Sequence, residues 1–215
     1  MNVHRRAGSS CGSVSNQRGS FGCPSFFVCA FATVLAQLAI IAVALADTPA
    51  AVEPPVRAAH MLRIATYNAS LNRDTEGALV QTLGTLDAAG HGADHQARVI
   101  AEVLQRVAPD VLLINEFDYD AQGTALRLFD ERYLRVSQNG APTLRFRERY
   151  SAPVNTGVPS GVDLDRDGRI GGPNDALGFG LFPGQYGLAV YSKLPIRRAA
   201  VRSFRRFLWK DMPGA

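Results

Sequence analysis

The sequence predicts an α/β fold with a mixed sheet, and three segments carry the prediction. Arg63-Ile64-Ala65-Thr66-Tyr67-Asn68 reads as an apolar-rich strand closing on Asn. His95–Val107 places Val99, Ile100, Val103, Leu104 and Val107 at the spacing of one buried helical face, and Pro109 stops that helix. Asp110-Val111-Leu112-Leu113-Ile114-Asn115-Glu116-Phe117 then reads as a buried strand running into a carboxylate. Strand, helix, adjacent strand is the resulting order, and it delivers Asn68 and Glu116 to one edge of a sheet.

The remaining elements follow in chain order. Residues 70–92 are polar and glycine-punctuated, with a short helix expected over 77–86. Further strands are expected at 133–136, 144–150, 187–192 and 199–207. Around the last of these, Arg197, Arg198, Arg202, Arg205 and Arg206 are the best candidate for a local basic patch, but their alternation reads rather as one solvated face, with Val201 and Phe207 turned inward.

The first 46 residues read as an export signal. Arg5, Arg6 and Arg18 make a basic start, 26–45 is a largely apolar run, and Ala44-Leu45-Ala46 is a small-x-small cleavage site before Asp47. An uncleaved anchor is the competing reading of that run, because it approaches the ~20 residues that span a bilayer. Residues 47–60, with Pro49, Pro54 and Pro55, form an extended linker, and the domain occupies 61–215. A cleaved product would be periplasmic or extracellular and would have no transmembrane span.

All three cysteines, Cys11, Cys23 and Cys29, lie in the leader, so the mature chain has no thiol for a disulfide, a thiolate zinc site or a nucleophile. The net charge of +4 also belongs largely to the leader: without its three arginines, twenty basic residues face nineteen acidic ones. A near-neutral chain offers no composition argument for a long polyanion such as DNA.

Two constellations carry chemistry. Glu116 at a strand end is a rigid hard-oxygen ligand of the kind Mg2+ uses, and Asn68 is its neighbour across the sheet. Asp118 and Asp120 add acid nearby but read as a solvated loop. The second is Asp163-Leu164-Asp165-Arg166-Asp167-Gly168-Arg169-Ile170, which matches the opening half of an EF-hand-type calcium loop. Its twelfth position is Asn174 rather than Glu, with Asp175 one step later as a substitute ligand. Gly171, Gly172 and Pro173 prevent a second helix from starting normally. In the glycine-rich run before residue 187, Gln185 and Tyr186 are candidates for substrate contact.

The segments LRIATYN, QARVIAEVLQRVAPDVLLINEFD and YGLAVYSKLPI, in that order over about 61–196, resemble the first half of the endonuclease/exonuclease/phosphatase superfamily, the DNase I-like metal-dependent phosphoesterases. The resemblance implies a four-layer sandwich, two packed mixed sheets flanked by helices, incomplete here at the C-terminus. It also implies Glu116 as the main metal ligand, Asn68 assisting at the metal and scissile phosphate, and Mg2+ or Mn2+ as the active-site ion. Hydrolysis of phosphodiester or phosphomonoester bonds by metal-activated water is the implied reaction. Nucleic acid, phospholipid and small phosphate esters are the candidate substrates, and no stable protein partner is implied. The family's catalytic histidines lie in its second half, and His60, His91 and His95 match none of them. Ca2+ at 163–175 would staple an insertion in the domain. The alternatives are a non-catalytic calcium-binding module and an inactive fragment.

Overall fold

The computed structural model describes residues 58 and 60–214, so the predicted leader and most of the linker lie outside the described residues. The described residues fall within one compact unit, Glu53–Ala215. Four strands, β1 (Ile64–Leu71), β2 (Val111–Phe117), β3 (Glu148–Tyr150) and β4 (Leu188–Ser192), form one sheet in the order β1-β2-β4-β3. β1 and β2 are parallel, and β4 runs antiparallel to both β2 and β3, so the sheet is mixed as expected. Three helices, α1 (Ala78–Gly84), α2 (His95–Val107) and α3 (Thr124–Phe129), accompany it. Among the described residues no helix is long and apolar enough to cross a membrane.

Helix α2 starts where Asp94 accepts the Ala97 N–H at 2.9 Å and ends at Ala108, whose backbone is left-handed, just before Pro109. Its boundaries match the expected ones, but its buried stripe is Ala97, Ile100, Ala101, Leu104 and Gln105, while Val99 and Val103 are exposed. Counting only large aliphatic residues misplaced the face by one position, because two alanines and a glutamine complete it. Gln105 is acceptable in the core because its amide is fully used. It donates to the carbonyls of Leu134 and Val136 at 2.9 and 2.7 Å and accepts from the Gln138 N–H at 3.1 Å.

Those bonds correct one expectation. Residues 133–136 are not a strand: α3 runs on through a wider helical turn, Asp130–Leu134, whose carbonyls Gln105 then ties down. The segment 144–150 forms a strand only over its last three residues. The strand expected at 199–207 is absent, replaced by short turns in which Val201 and Phe207 are exposed rather than inward.

The covered face of the sheet packs Leu112, Ile114, Ala189 and Tyr191 against the helices. Phe129 is the hub, with ring centroids 6.0 Å from Phe117, 5.9 Å from Tyr133 and 6.2 Å from Tyr191. The opposite face carries Ile64, Leu113, Leu188 and Val190, and Ile64 is 74% exposed. The second packed sheet implied by the resemblance does not occur among the described residues.

Candidate active site

The register between β1 and β2 advances residue for residue from Ile64↔Val111 to Asn68↔Asn115, and the next pair is Leu71↔Phe117. Ala69 and Ser70 therefore face Glu116 alone, which is a β-bulge. Both strands take left-handed backbone there, with φ of 47° at Ser70 and 57° at Glu116. For residues other than glycine such backbone costs about 1–3 kcal/mol and persists where surrounding structure enforces it.

The bulge decides which way Glu116 points. Leu112 and Ile114 are buried, and simple alternation would bury residue 116 next. Instead the phase slips by one, Phe117 takes the buried position, and Asn115 and Glu116 are both partly exposed. Glu116 Oε1 accepts from Asn68 Nδ2 at 2.7 Å, and Oε2 accepts from the Ser70 hydroxyl at 3.2 Å. Asn68 Oδ1 in turn accepts the Ser70 N–H at 3.1 Å, which fixes the amide so that its NH2 faces the carboxylate. One rung back, Asn115 Nδ2 donates to Thr66 Oγ1 at 3.1 Å. The structure thus brings together the two residues picked out in the sequence and adds Ser70, which no sequence pattern marked.

The floor beneath this bulge is polar and buried. Asp118, only 6% exposed, accepts the Arg73 N–H on Oδ2 at 2.7 Å and the Tyr186 N–H on Oδ1 at 3.1 Å. It is not on a solvated loop: it ties the segment after β1 to the turn before β4. Burial pushes its carboxyl up from 3.8 to about 6, against the opposing pull of the two amides. Asp120 spends both oxygens capping α3, at 2.9 Å from the Thr124 and Ala125 N–H groups. Gln185, a candidate for substrate contact, is instead fully buried and bridges the Leu181 N–H at 2.6 Å to the Arg73 carbonyl at 2.7 Å. Gly187 passes so close to β2 that a Cβ would sit 2.8 Å from the Phe117 carbonyl oxygen. His60, His91 and His95 are all exposed, at the entry to β1, in a turn and at the first residue of α2.

The residues at the bulge fit the ion the resemblance implies. A partly exposed carboxylate at a strand end, held by an exposed carboxamide on the adjacent strand, is a hard oxygen donor suited to a small divalent cation that keeps several waters.

The acidic loop is built differently. Asp163, Asp165 and Asp175 offer oxygens that all lie within 4.8 Å of one another. Asp175 is buried at a short helical turn, Pro173–Asp175, and accepts N–H groups from Leu164 at 2.6 Å and Gly171 at 2.8 Å. These amides, that of Leu164 first, hold its carboxyl below the usual range. Asp163 accepts from Arg166 at 2.6 Å and Gly168 at 2.9 Å. Asp167 does not join the group: its Oδ1 accepts the Arg169 N–H at 2.8 Å.

A family model described as Endonuclease/Exonuclease/phosphatase family matches residues 65–215. No curated protein and no solved structure matches the chain. The matched segment takes in both sides of the bulge, the acidic loop and β4, so the chain belongs to the endonuclease/exonuclease/phosphatase family.

Proposed function

We propose that this chain serves a metal-dependent phosphoesterase whose metal ligand is Glu116, with Asn68 beside it. The family generally hydrolyses phosphate esters and is typically metal-dependent. The observation that carries the reading is the strained bulge at Glu116, which turns a carboxylate out of the core and holds it between Asn68 and Ser70. Such strain is retained where it does something packing does not require.

Glu116, with the Asn68 amide donating to its carboxylate, would hold Mg2+ or Mn2+. When bound, that ion polarises a phosphate oxygen and neutralises charge that develops on the reacting group. The chain's own groups do the positioning: the Asn68 amide and Ser70 hydroxyl fix the carboxylate, and Asp118 and Gln185 lock the flanking loops. Nucleic acid, phospholipid and small phosphate esters are all compatible substrates, and the near-neutral charge outside the leader leans away from long DNA. The open sheet face bearing Ile64, Leu113 and Leu188 is where a second sheet of a four-layer sandwich would pack. Residues 1–46 act as an export signal in this reading, which puts the protein outside the cytoplasm.

The direct test is hydrolysis of bis(p-nitrophenyl) phosphate and p-nitrophenyl phosphate with Mg2+ or Mn2+. Glu116→Gln lowers kcat/KM by at least about a hundredfold, as expected for loss of a charged metal ligand. Turnover that survives chelation, or survives Glu116→Gln, overturns the reading.

A second reading rests on the triad of Asp163, Asp165 and Asp175. Here Ca2+ staples the 163–175 loop and the protein is a binding module without turnover. It predicts a calcium-dependent rise in Tm that Asp175→Asn removes, together with no ester hydrolysis under any metal.

A further inference from the structure

A cavity of about 470 Å3 opens beyond β2, between the N-terminal end of α3 and strand β3. Its walls include Tyr119, Arg127, Arg147, Arg149, Tyr150 and Arg198. We propose that this cleft binds a phosphate-class anionic group, with Arg147 as its principal ligand.

The charges around the cleft are unequally paired. Arg127 is held by Glu131 at 2.7 Å, and Arg198 by Glu148 at 3.5 Å, with its guanidinium also 5.7 Å over the Tyr150 ring. Arg149 reaches down to the fully buried Asp130 at 2.5 Å, but Asp130 Oδ2 also takes Arg135 at 2.7 Å. Two guanidiniums on one buried carboxylate leave a positive charge beneath the cleft. Asp120 also lines the wall, yet both its oxygens already face the amides that open α3. That leaves Arg147, exposed on the rim, which forms no ion pair among the described residues.

Three guanidiniums held in place by acidic partners or an aromatic ring, and a fourth left unpaired, make a partly ordered donor array. Guanidinium N–H groups match phosphate oxygens in pairs, and ordering them in advance lowers the entropy lost on binding. The wall residue Tyr119 lies three residues beyond Glu116, yet the anion site needs no metal and stands whether or not Glu116 carries chemistry.

The test is titration of the metal-free protein with inorganic phosphate, and with chloride at equal ionic strength, following backbone amide shifts of residues 119–124 and 147–151 by NMR. Wild type and Glu116→Gln show the same saturable shifts with phosphate and none with chloride. Arg147→Gln, which removes the charge but keeps a polar side chain, weakens the apparent affinity at least tenfold while leaving the spectrum otherwise folded. Shifts that chloride reproduces, shifts unaffected by Arg147→Gln, or shifts lost in Glu116→Gln would each overturn the proposal.

Discussion

Glu116 and the acidic loop both gather oxygen ligands, but they are held by opposite means. At Glu116 the carboxylate is fixed by two side chains, Asn68 and Ser70, on a bulge pinned between strands of the core sheet. In the loop the carboxylates of Asp163 and Asp175 are fixed by backbone N–H groups of the loop itself. Altering the charge at Glu116 should therefore disturb chemistry more than folding. Altering Asp175 removes the group around which its loop is folded. A ligand imposed by the fold and a fold imposed by a ligand are separable experimentally.

The largest expected effect is on turnover. Glu116→Gln lowers kcat/KM by roughly a thousandfold, at the upper end for removing one preorganised electrostatic group, while urea unfolding shifts by less than about 1 kcal/mol, as for a partly exposed polar group. A loss of stability as large as the loss of activity would erase the contrast between the two regions.

Next comes the floor of the site. Asp118→Ala strands the Arg73 and Tyr186 amides near the core and costs about 2–4 kcal/mol, with each unsatisfied buried group worth about 1–3. Denaturant unfolding measures this. Gly187→Ala drives a methyl group into the Phe117 carbonyl and costs about 1–3 kcal/mol by the same measurement.

A smaller effect is pH-dependent. The Asp118 carboxyl, at about 6 in the folded protein against 3.8 ordinarily, binds its proton more tightly when folded. Its contribution to stability is fully present below about pH 4 and is lost as pH rises through about 6. In metal-free protein, Asp118→Asn should flatten the stability profile across that window. A profile as steep as wild type would place the shift elsewhere. The smallest effect is local: Asp175→Asn abolishes the calcium-dependent rise in Tm and leaves Glu116-dependent hydrolysis within about twofold. Loss of both together would make the two regions one functional unit.

The parts of the fold legible in sequence were those governed by a strict period. β1, α2, β2 and β4 were anticipated because hydrophobic alternation and the capping context around Pro109 are local. The strand expected at 133–136 failed because its apolar residues serve a helical continuation whose carbonyls are satisfied by Gln105, a partner nearly thirty residues away in sequence. At 199–207 alternation was present, yet that stretch pairs with no strand among the described residues. At the site, Asn68 and Glu116 could be selected, but the bulge that joins them could not. Left-handed backbone at a glutamate and a serine leaves no compositional trace, unlike at glycine. Asp118 was misjudged for a related reason: nothing local distinguishes a carboxylate in solvent from one collecting two amides from distant loops.

Mn2+ binding followed by electron paramagnetic resonance, on wild type and Glu116→Gln with Asp175→Asn in both backgrounds, tests the central claim most directly. The account predicts a site that survives Asp175→Asn and disappears when Glu116→Gln is added. Unchanged Mn2+ binding in the Glu116→Gln, Asp175→Asn double variant would contradict it.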